Sequence, residues 1–516
     1  MQSGSPARIP RSWPQASLFS RTPPSSCGPT LLQGPAGAGR HRPNLRDRTH
    51  GTTPPSVSVL AARTTGSPGR TRPCDLLQPG GSVIRLPVRS ETARRGEQAR
   101  PAVWFHTFGC RANQYDTERM RQELEVGGAR TVARPGEADA LVVNTCTVTN
   151  QADAEARRLV RRLRRENPGA RILVAGCSAA LREDDYRSMP EVDGVVPGQD
   201  ALALASRLAT LDLAFGPPSA GEGPLLRNER GTRAWLKVQD GCDRKCSFCA
   251  TRLARGASVS RPPADVVREA RALARVHPEL VITGIHIGHY GRDLEPRTTL
   301  AELCALLLDS VPVRIRLSSI EATEIDDALM ALLADSGGRL APHLHVPLQS
   351  GSDKVLRLMR RWHTRAAYRQ RVLEIAGKMG PLGLGADIIV GFPGEGEEEF
   401  EETRALVEEL PYTYLHVFPF SVRPGTAAAE LPDRVPGDVA AARSRVLREM
   451  ALDKKERYRR GRAGTVADIV VEGSRQRIAG VTGDYLRTRI DGRAAPGDRF
   501  RSVLELRDGE LVAAVN

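Results

Sequence analysis

Residues 238–256, VQDGCDRKCSFCATRLARG, place Cys242, Cys246 and Cys249 within eight positions of one another. A structural zinc needs four ligands. This Cys-x3-Cys-x2-Cys run offers three, and the next histidine along the chain, His277, is too distant for a compact knuckle. A [4Fe–4S] cluster has four irons, so three thiolates leave one iron open to another ligand. The open iron suits chelation by the amino and carboxylate groups of S-adenosylmethionine (SAM), whose sulfonium a cluster electron cleaves to a 5′-deoxyadenosyl radical. With the aromatic Phe248 before the last cysteine, radical SAM chemistry is the preferred reading and zinc the alternative.

The flanking sequence agrees with a barrel. Apolar strands recur in order as RAWLKVQ, LVITGIHI, VRIRLSSI, HLHVPLQ, LGADIIVGF and YLHVFPF, with helical stretches such as PADVVREARALARV and TLAELCALLLDS between them. A strand–helix unit repeated this often predicts a partial (β/α) barrel over 228–457, with its chemistry at the carboxyl ends of the strands. The cysteine triplet follows the first strand and so belongs at that mouth. Cys304 lies in a Leu-rich helix and is expected in the core.

Upstream, AVWFHTFGC, ADALVVNTC and ARILVAGC read as three strands separated by two helices, an α/β pattern that predicts an open parallel sheet over 101–213. Cys110, Cys146 and Cys177 each stand at the carboxyl end of one strand. In an open parallel sheet those ends share one edge, where ligands bind. Three cysteines separated by 36 and 31 residues are therefore expected to converge, although any one of them alone would pass for a buried thiol.

Downstream, VAAARSRVLREMALDKKERYRR predicts a linker helix. TVADIVVEG, RIAGVTGDYLRTRI and GDRFRSVLELRDGELVAAV then alternate with glycine turns, predicting a small β-barrel over 458–516.

The net charge of +14 is misleading about the folded part. Residues 1–100 hold 15 arginines, no lysine and four acids, which accounts for +11 of it. This Pro-, Gly-, Ser- and Arg-rich stretch reads as a disordered basic extension, although it superficially resembles a transit peptide, and its Cys27 and Cys74 are taken as incidental. Nine cysteines, odd and unevenly spaced, do not form a secreted disulfide framework, so a reducing cytoplasm is expected. No run of about 18 apolar residues argues for a membrane span.

The motifs TFGCRANQYDTE, VVNTCTVTNQA, LVAGC, GCDRKCSFC, HLHVPLQSGSD and DIIVGFPGE, in that order over residues 102–516, make the chain resemble the methylthiotransferases, with a TRAM-like domain at the end. The resemblance implies a second [4Fe–4S] cluster on Cys110, Cys146 and Cys177, and the SAM-binding cluster on Cys242, Cys246 and Cys249. The wording GCRANQYDTE and NTCTVTNQA is most similar to the bacterial enzymes acting on N6-threonylcarbamoyladenosine. That implies methylthiolation of C2 of adenosine 37 beside the tRNA anticodon, with two SAM molecules and an electron donor such as flavodoxin or ferredoxin. Isopentenyladenosine tRNA, a ribosomal protein side chain, or a non-enzymatic RNA-binding protein with structural iron or zinc are the alternatives.

Resemblance to radical SAM barrels also marks VITGIHIGHYG, with Gly284 as the contact to the methionine amino group. Ser318, Ser319 and Glu321 of RLSSIEATE, and Gln349 and Ser350 of LQSGSD, end other strands and are expected to touch SAM ribose or carboxylate, with GFPGE near adenine. Gly, Pro and Ser also end strands for turn reasons alone. His343 and His345 face one side of their strand and read as interior histidines rather than a metal pair. On AEARRLVRRLRREN, Leu159, Val160 and Leu163 form an apolar stripe, and the six arginines read either as a solvated face or as a tRNA phosphate contact.

Overall fold

Three apolar runs become adjacent strands of one parallel sheet. In the computed structural model, which describes residues 100–211, 213, 223–229, 231–474 and 477–515, β1 is Ala102–Thr107, β2 Arg130–Thr131, β3 Ala140–Thr145, β4 Arg171–Gly176 and β5 Gly194–Pro197. The order is β2-β1-β3-β4-β5, all parallel. β3 is buried along its whole length, as expected for a strand covered on both faces. Val103, Phe105 and Val142 face one apolar layer, while Trp104, Leu141 and Val143 face the other. The register pairs Thr107 with Asn144 and Thr145 with Gly176, so the strands end level. β2 and β5, two and four residues long, extend the three-strand core expected from the sequence.

The barrel strands are β6 (Ala234–Lys237), β9 (Glu279–Thr283), β10 (Arg314–Leu317), β11 (His343–His345), β12 (Gly383–Val390) and β13 (Tyr414–Pro419). β10-β9-β6 and β11-β12-β13 are parallel sheets. Single parallel bridges, Ile315 to Leu340 and Ser319 to His345, join β10 to the β11 segment and complete a six-strand open barrel. Two short strands, β7 (Gln239–Asp240) and β8 (Val259–Ser260), pair antiparallel and pinch the neck of the loop that holds Cys242, Cys246 and Cys249. Cys304 is fully buried in the helix Leu300–Ser310, where burial pushes its thiol up to about 12.

The helix Gly437–Gly461 runs along β13 and leads into β14 (Val466–Ser474), β15 (Arg477–Thr482), β16 (Arg487–Asp491), β17 (Arg499–Arg507) and β18 (Glu510–Ala514). These close into a barrel in the order β14-β15-β16-β18-β17. It docks on the larger barrel through charge. Arg314 and Arg316, with no solvent exposure, grip the equally buried Glu279 and donate to the carbonyls of Val481, Thr482 and Gly483. No helix among the described residues is long and apolar enough to cross a membrane. The basic extension expected over residues 1–100 lies outside the described residues apart from Arg100.

Candidate active site: two cysteine trios joined by a buried arginine

The level strand ends bring Cys110, Cys146 and Cys177 together. Cys146 follows β3 directly, Cys177 follows β4 directly, and Cys110 caps the helix Arg111–Val126 three residues after β1. Gly109 makes the turn possible. Its φ is +94°, and a Cβ there would lie 2.6 Å from Cys146 Sγ. Gly176, at φ +96°, leaves no room for a Cβ against Asn144 and Thr145. Burial pushes Cys146 up to about 11, with the neighbouring thiols of Cys110 and Cys177 adding to the rise. Asn113 braces the loops by donating to the carbonyls of Phe108 and Thr145, each at 2.8 Å.

The second trio sits in the pinched loop. The Cys242 amide donates to Gly256 O at 3.0 Å, and Gly241, at φ +68°, packs against the Ala257 carbonyl. Gln239, fully buried, organises the base of the loop. Its amide nitrogen reaches the carbonyls of Asp240 and Gly241 at 2.7 Å, and its oxygen accepts from Ile285 and His286. Burial pushes Cys242 up to about 11 as well. His286 approaches Cys242 Sγ at 3.5 Å through Nδ1, while Nε2 meets both oxygens of Glu324 at 2.9 Å.

Each trio receives a buried guanidinium. Arg361 donates to Cys246 Sγ at 3.6 Å and holds Glu321 at 2.5 Å. Arg255 donates through Nε to Cys177 Sγ at 3.2 Å. Its other nitrogens reach Asp240 at 2.9 Å, Asn113 at 2.9 Å and Asp116 at 2.7 Å. The Arg255 side chain has no solvent exposure. It stands on the helix Thr251–Arg255, just after the barrel trio, yet its head lies at the sheet trio, so one residue spans both sites. Burial would raise Asp240, but Lys237 and Arg255 hold its carboxyl down to about 2. On the sheet side, Arg423 clamps the loop after Cys146, reaching Thr147 and Asn150 at 2.6 Å and Asp153 at 2.5 Å.

The donor sets fit iron–sulfur clusters better than single ions. Sulfurs on one tetrahedral zinc stand roughly 3.8 Å apart, given the Zn–S bond length. Among the described residues only His286/His289/Glu324 and His345/Asp387/His416 bring three ligand atoms within 4.8 Å of one another, and neither cysteine trio is that tight. A cluster spreads its thiolates wider and carries negative charge, which the guanidinium at each trio offsets.

The expected SAM contacts divide. Gly284 and Ser318 stand at the ends of β9 and β10. Gly284 also has a packing reason, since a Cβ there would lie 2.8 Å from Gln239 O. Gln349, at φ +68°, bridges to β12 through Asp387 O and the Ile389 amide. Glu321 reaches the barrel trio through Arg361. Ser350 is fully buried and spends its hydroxyl on Thr403 and the Ser352 amide, a turn role rather than an open contact. The GFPGE loop is tied by Glu395, which accepts from the Gly391 amide at 2.8 Å and pairs with Arg443.

His343 and His345 both meet the Tyr414 hydroxyl, at 2.8 and 3.1 Å, and His345 adds Asp387 at 3.0 Å. The sequence reading missed Arg255, Arg361, Asp116 and Glu324. All four sit among other charged residues, as in QYDTERMR and EATEIDD, so no local signal sets them apart.

Two family models match the chain: the Uncharacterized protein family UPF0004 over residues 102–197 and the Radical SAM superfamily over 236–407. A threonylcarbamoyladenosine tRNA methylthiotransferase MtaB of Rickettsia prowazekii is 36% identical over 408 residues, covering 77% of this chain and 93% of the relative. A tRNA-2-methylthio-N(6)-dimethylallyladenosine synthase of Methylococcus capsulatus is 35% identical, covering 75% and 88%. The solved radical S-adenosylmethionine methyltransferase TsrM of Kitasatospora setae aligns over 64% of this chain and 77% of its own at 16% identity, with a TM-score of 0.46.

Proposed function

The chain belongs to the methylthiotransferase family of radical SAM enzymes, and from that membership we propose that it adds a methylthio group to C2 of N6-threonylcarbamoyladenosine at position 37 of tRNA. The observation that carries this reading is the pairing of the two trios. Three strand-end thiols lie beside a second set of three, and Arg255 reaches from one set to the other. A binding scaffold needs no such junction. Similarity to relatives named for the threonylcarbamoyl substrate, from Rickettsia prowazekii to Thermotoga maritima, favours that nucleoside.

In this reading Cys110, Cys146 and Cys177 hold one [4Fe–4S] cluster, and Cys242, Cys246 and Cys249 hold the other. Bound there, the clusters and SAM supply a reducing electron, a carbon radical, and sulfur and methyl for transfer. The chain itself positions and neutralises. Arg361 and Arg255 each bring one positive charge to a thiolate sulfur, which favours the deprotonated, metal-holding form. Glu324 fixes the His286 ring beside Cys242. Asp116 and Asp240 hold Arg255 from two sides, so the two trios keep one relative position. Gly284, Ser318 and Gln349 stand where SAM would lie, at the strand ends around the mouth. The electron comes from a flavodoxin- or ferredoxin-type donor in the cytoplasm.

Anaerobic reconstitution tests the cluster assignment. About eight irons per chain are expected, falling to about four when Cys110, Cys146 and Cys177 are all changed to Ala. Four irons in the unaltered chain would defeat the two-cluster reading. Nucleoside mass spectrometry of tRNA from a deletion strain tests the substrate: 2-methylthio-N6-threonylcarbamoyladenosine should disappear. If it persists while the isopentenyl counterpart is lost, the nucleoside assignment is wrong.

A further inference from the structure

The helix Asn150–Glu166 carries six arginines, and the fold sorts them by task. Arg164 is structural, donating to the carbonyls of Pro168, Ala170 and Glu191 and pairing with Asp193 at 2.5 Å. Arg157 is half-buried. The other four, Arg158, Arg161, Arg162 and Arg165, follow i, i+3, i+4, i+7 spacing, are all exposed, and form one wall of a groove. His106 and Phe108 also line it, their rings 4.6 Å apart edge to face.

Like charges at this spacing repel and weaken the helix that bears them. Two acids lie close by. Arg162 meets Glu166 at 3.6 Å, and Glu155 accepts from Gln151. Arg158, Arg161 and Arg165 form no ion pair within the described protein. Three guanidinium forks without an internal anion suit phosphate oxygens, which they meet bidentately. Aromatic edges beside them suit an unstacked base. The groove also adjoins the sheet trio, because Phe108 stands two residues before Cys110 and Thr149, which caps this helix, three after Cys146.

We infer that this arginine-walled groove is a binding surface for RNA phosphates, which grips the tRNA backbone beside the sheet trio. The assignment rests on the tRNA reading above. The groove is a separate surface from the small C-terminal barrel.

The test uses the reconstituted full chain and tRNA purified from a strain lacking the enzyme. The variant Arg158→Gln/Arg161→Gln/Arg165→Gln keeps good helix formers at all three positions. Its Kd for tRNA should rise at least about tenfold at physiological salt. The dependence of log Kd on log salt should become shallower by about 2, as expected for lost phosphate contacts. Iron content and tRNA-independent SAM cleavage should match the unaltered protein. Arg369→Gln/Arg404→Gln removes two positive charges, one exposed and one half-buried, from the outer helices of the barrel and should change Kd less than about twofold, which separates local contact from net charge. Equal tRNA affinity and salt slope in the triple variant would overturn the groove assignment alone. No tRNA binding by the unaltered protein would overturn the substrate reading and the groove with it.

Discussion

Gly109 is glycine for two separate reasons: its backbone is left-handed at φ +94°, and a Cβ would press on Cys146 Sγ at 2.6 Å. Gly128 shares the first reason only, with the same φ and nothing within 4 Å of its Cβ. The pair separates strain from crowding. Gly128→Ala should cost about 1–2 kcal/mol of backbone strain and keep all the iron. Gly109→Ala should displace Cys146 and lose about half the reconstituted iron, read by iron analysis; retention of all of it would show that the loop yields. His363 offers a pH test. Burial, with Arg361 adding to it, pushes its imidazole from 6.5 down to about 4. The folded chain therefore keeps it neutral, while the unfolded chain takes up a proton below pH 6.5. The stability it contributes is complete above pH 6.5 and is lost as pH falls toward 4, at up to about 1.4 kcal/mol per pH unit. Thermal midpoints between pH 7.5 and 5.5 should fall less steeply in His363→Gln than in the unaltered chain, and parallel profiles would refute the assignment.

Among the elements, the five-residue helix Thr251–Arg255 is too short to be stable by itself. Its last residue anchors it, since Arg255 is enclosed by Asp116, Asp240, Asn113 and Cys177. Removing one partner of a buried ion pair leaves the other charges uncompensated, at a cost of about 3–5 kcal/mol. Arg255→Gln should lower the thermal midpoint accordingly and speed proteolysis between the sheet and the barrel. Arg255→Lys keeps the charge but loses the fork, and should fall between the two. A glutamine variant as stable as the parent would remove Arg255 from this role. At the same scale, the long apolar strands were legible in the sequence while β2 and β5 were not. A two-residue strand carries no periodic signal, and GVVP is too short to tell from a loop.

In the whole molecule, the C-terminal barrel is seated by the fully buried Glu279 between Arg314 and Arg316, whose remaining donors reach the barrel's backbone carbonyls. Burial would raise the Glu279 carboxyl, but the two arginines hold it well below the usual carboxylate range. Glu279→Gln strands two buried guanidiniums and should release the small barrel to limited proteolysis well before the radical SAM barrel unfolds; a digestion pattern identical to the parent's would show that the interface stands without it. By itself, the sequence determined where the two cysteine trios fall relative to the strands and the three-part α/β, barrel and β-barrel plan. Those follow from local spacing and periodicity. Tertiary structure alone decided which charges reach the thiols, that Ser350 turns inward, and which arginines of the basic helix stay exposed. Arg255 meets Cys177, Asp116 and Asn113 across 78 to 142 residues of chain, and no local pattern encodes a contact that exists only once two domains have packed.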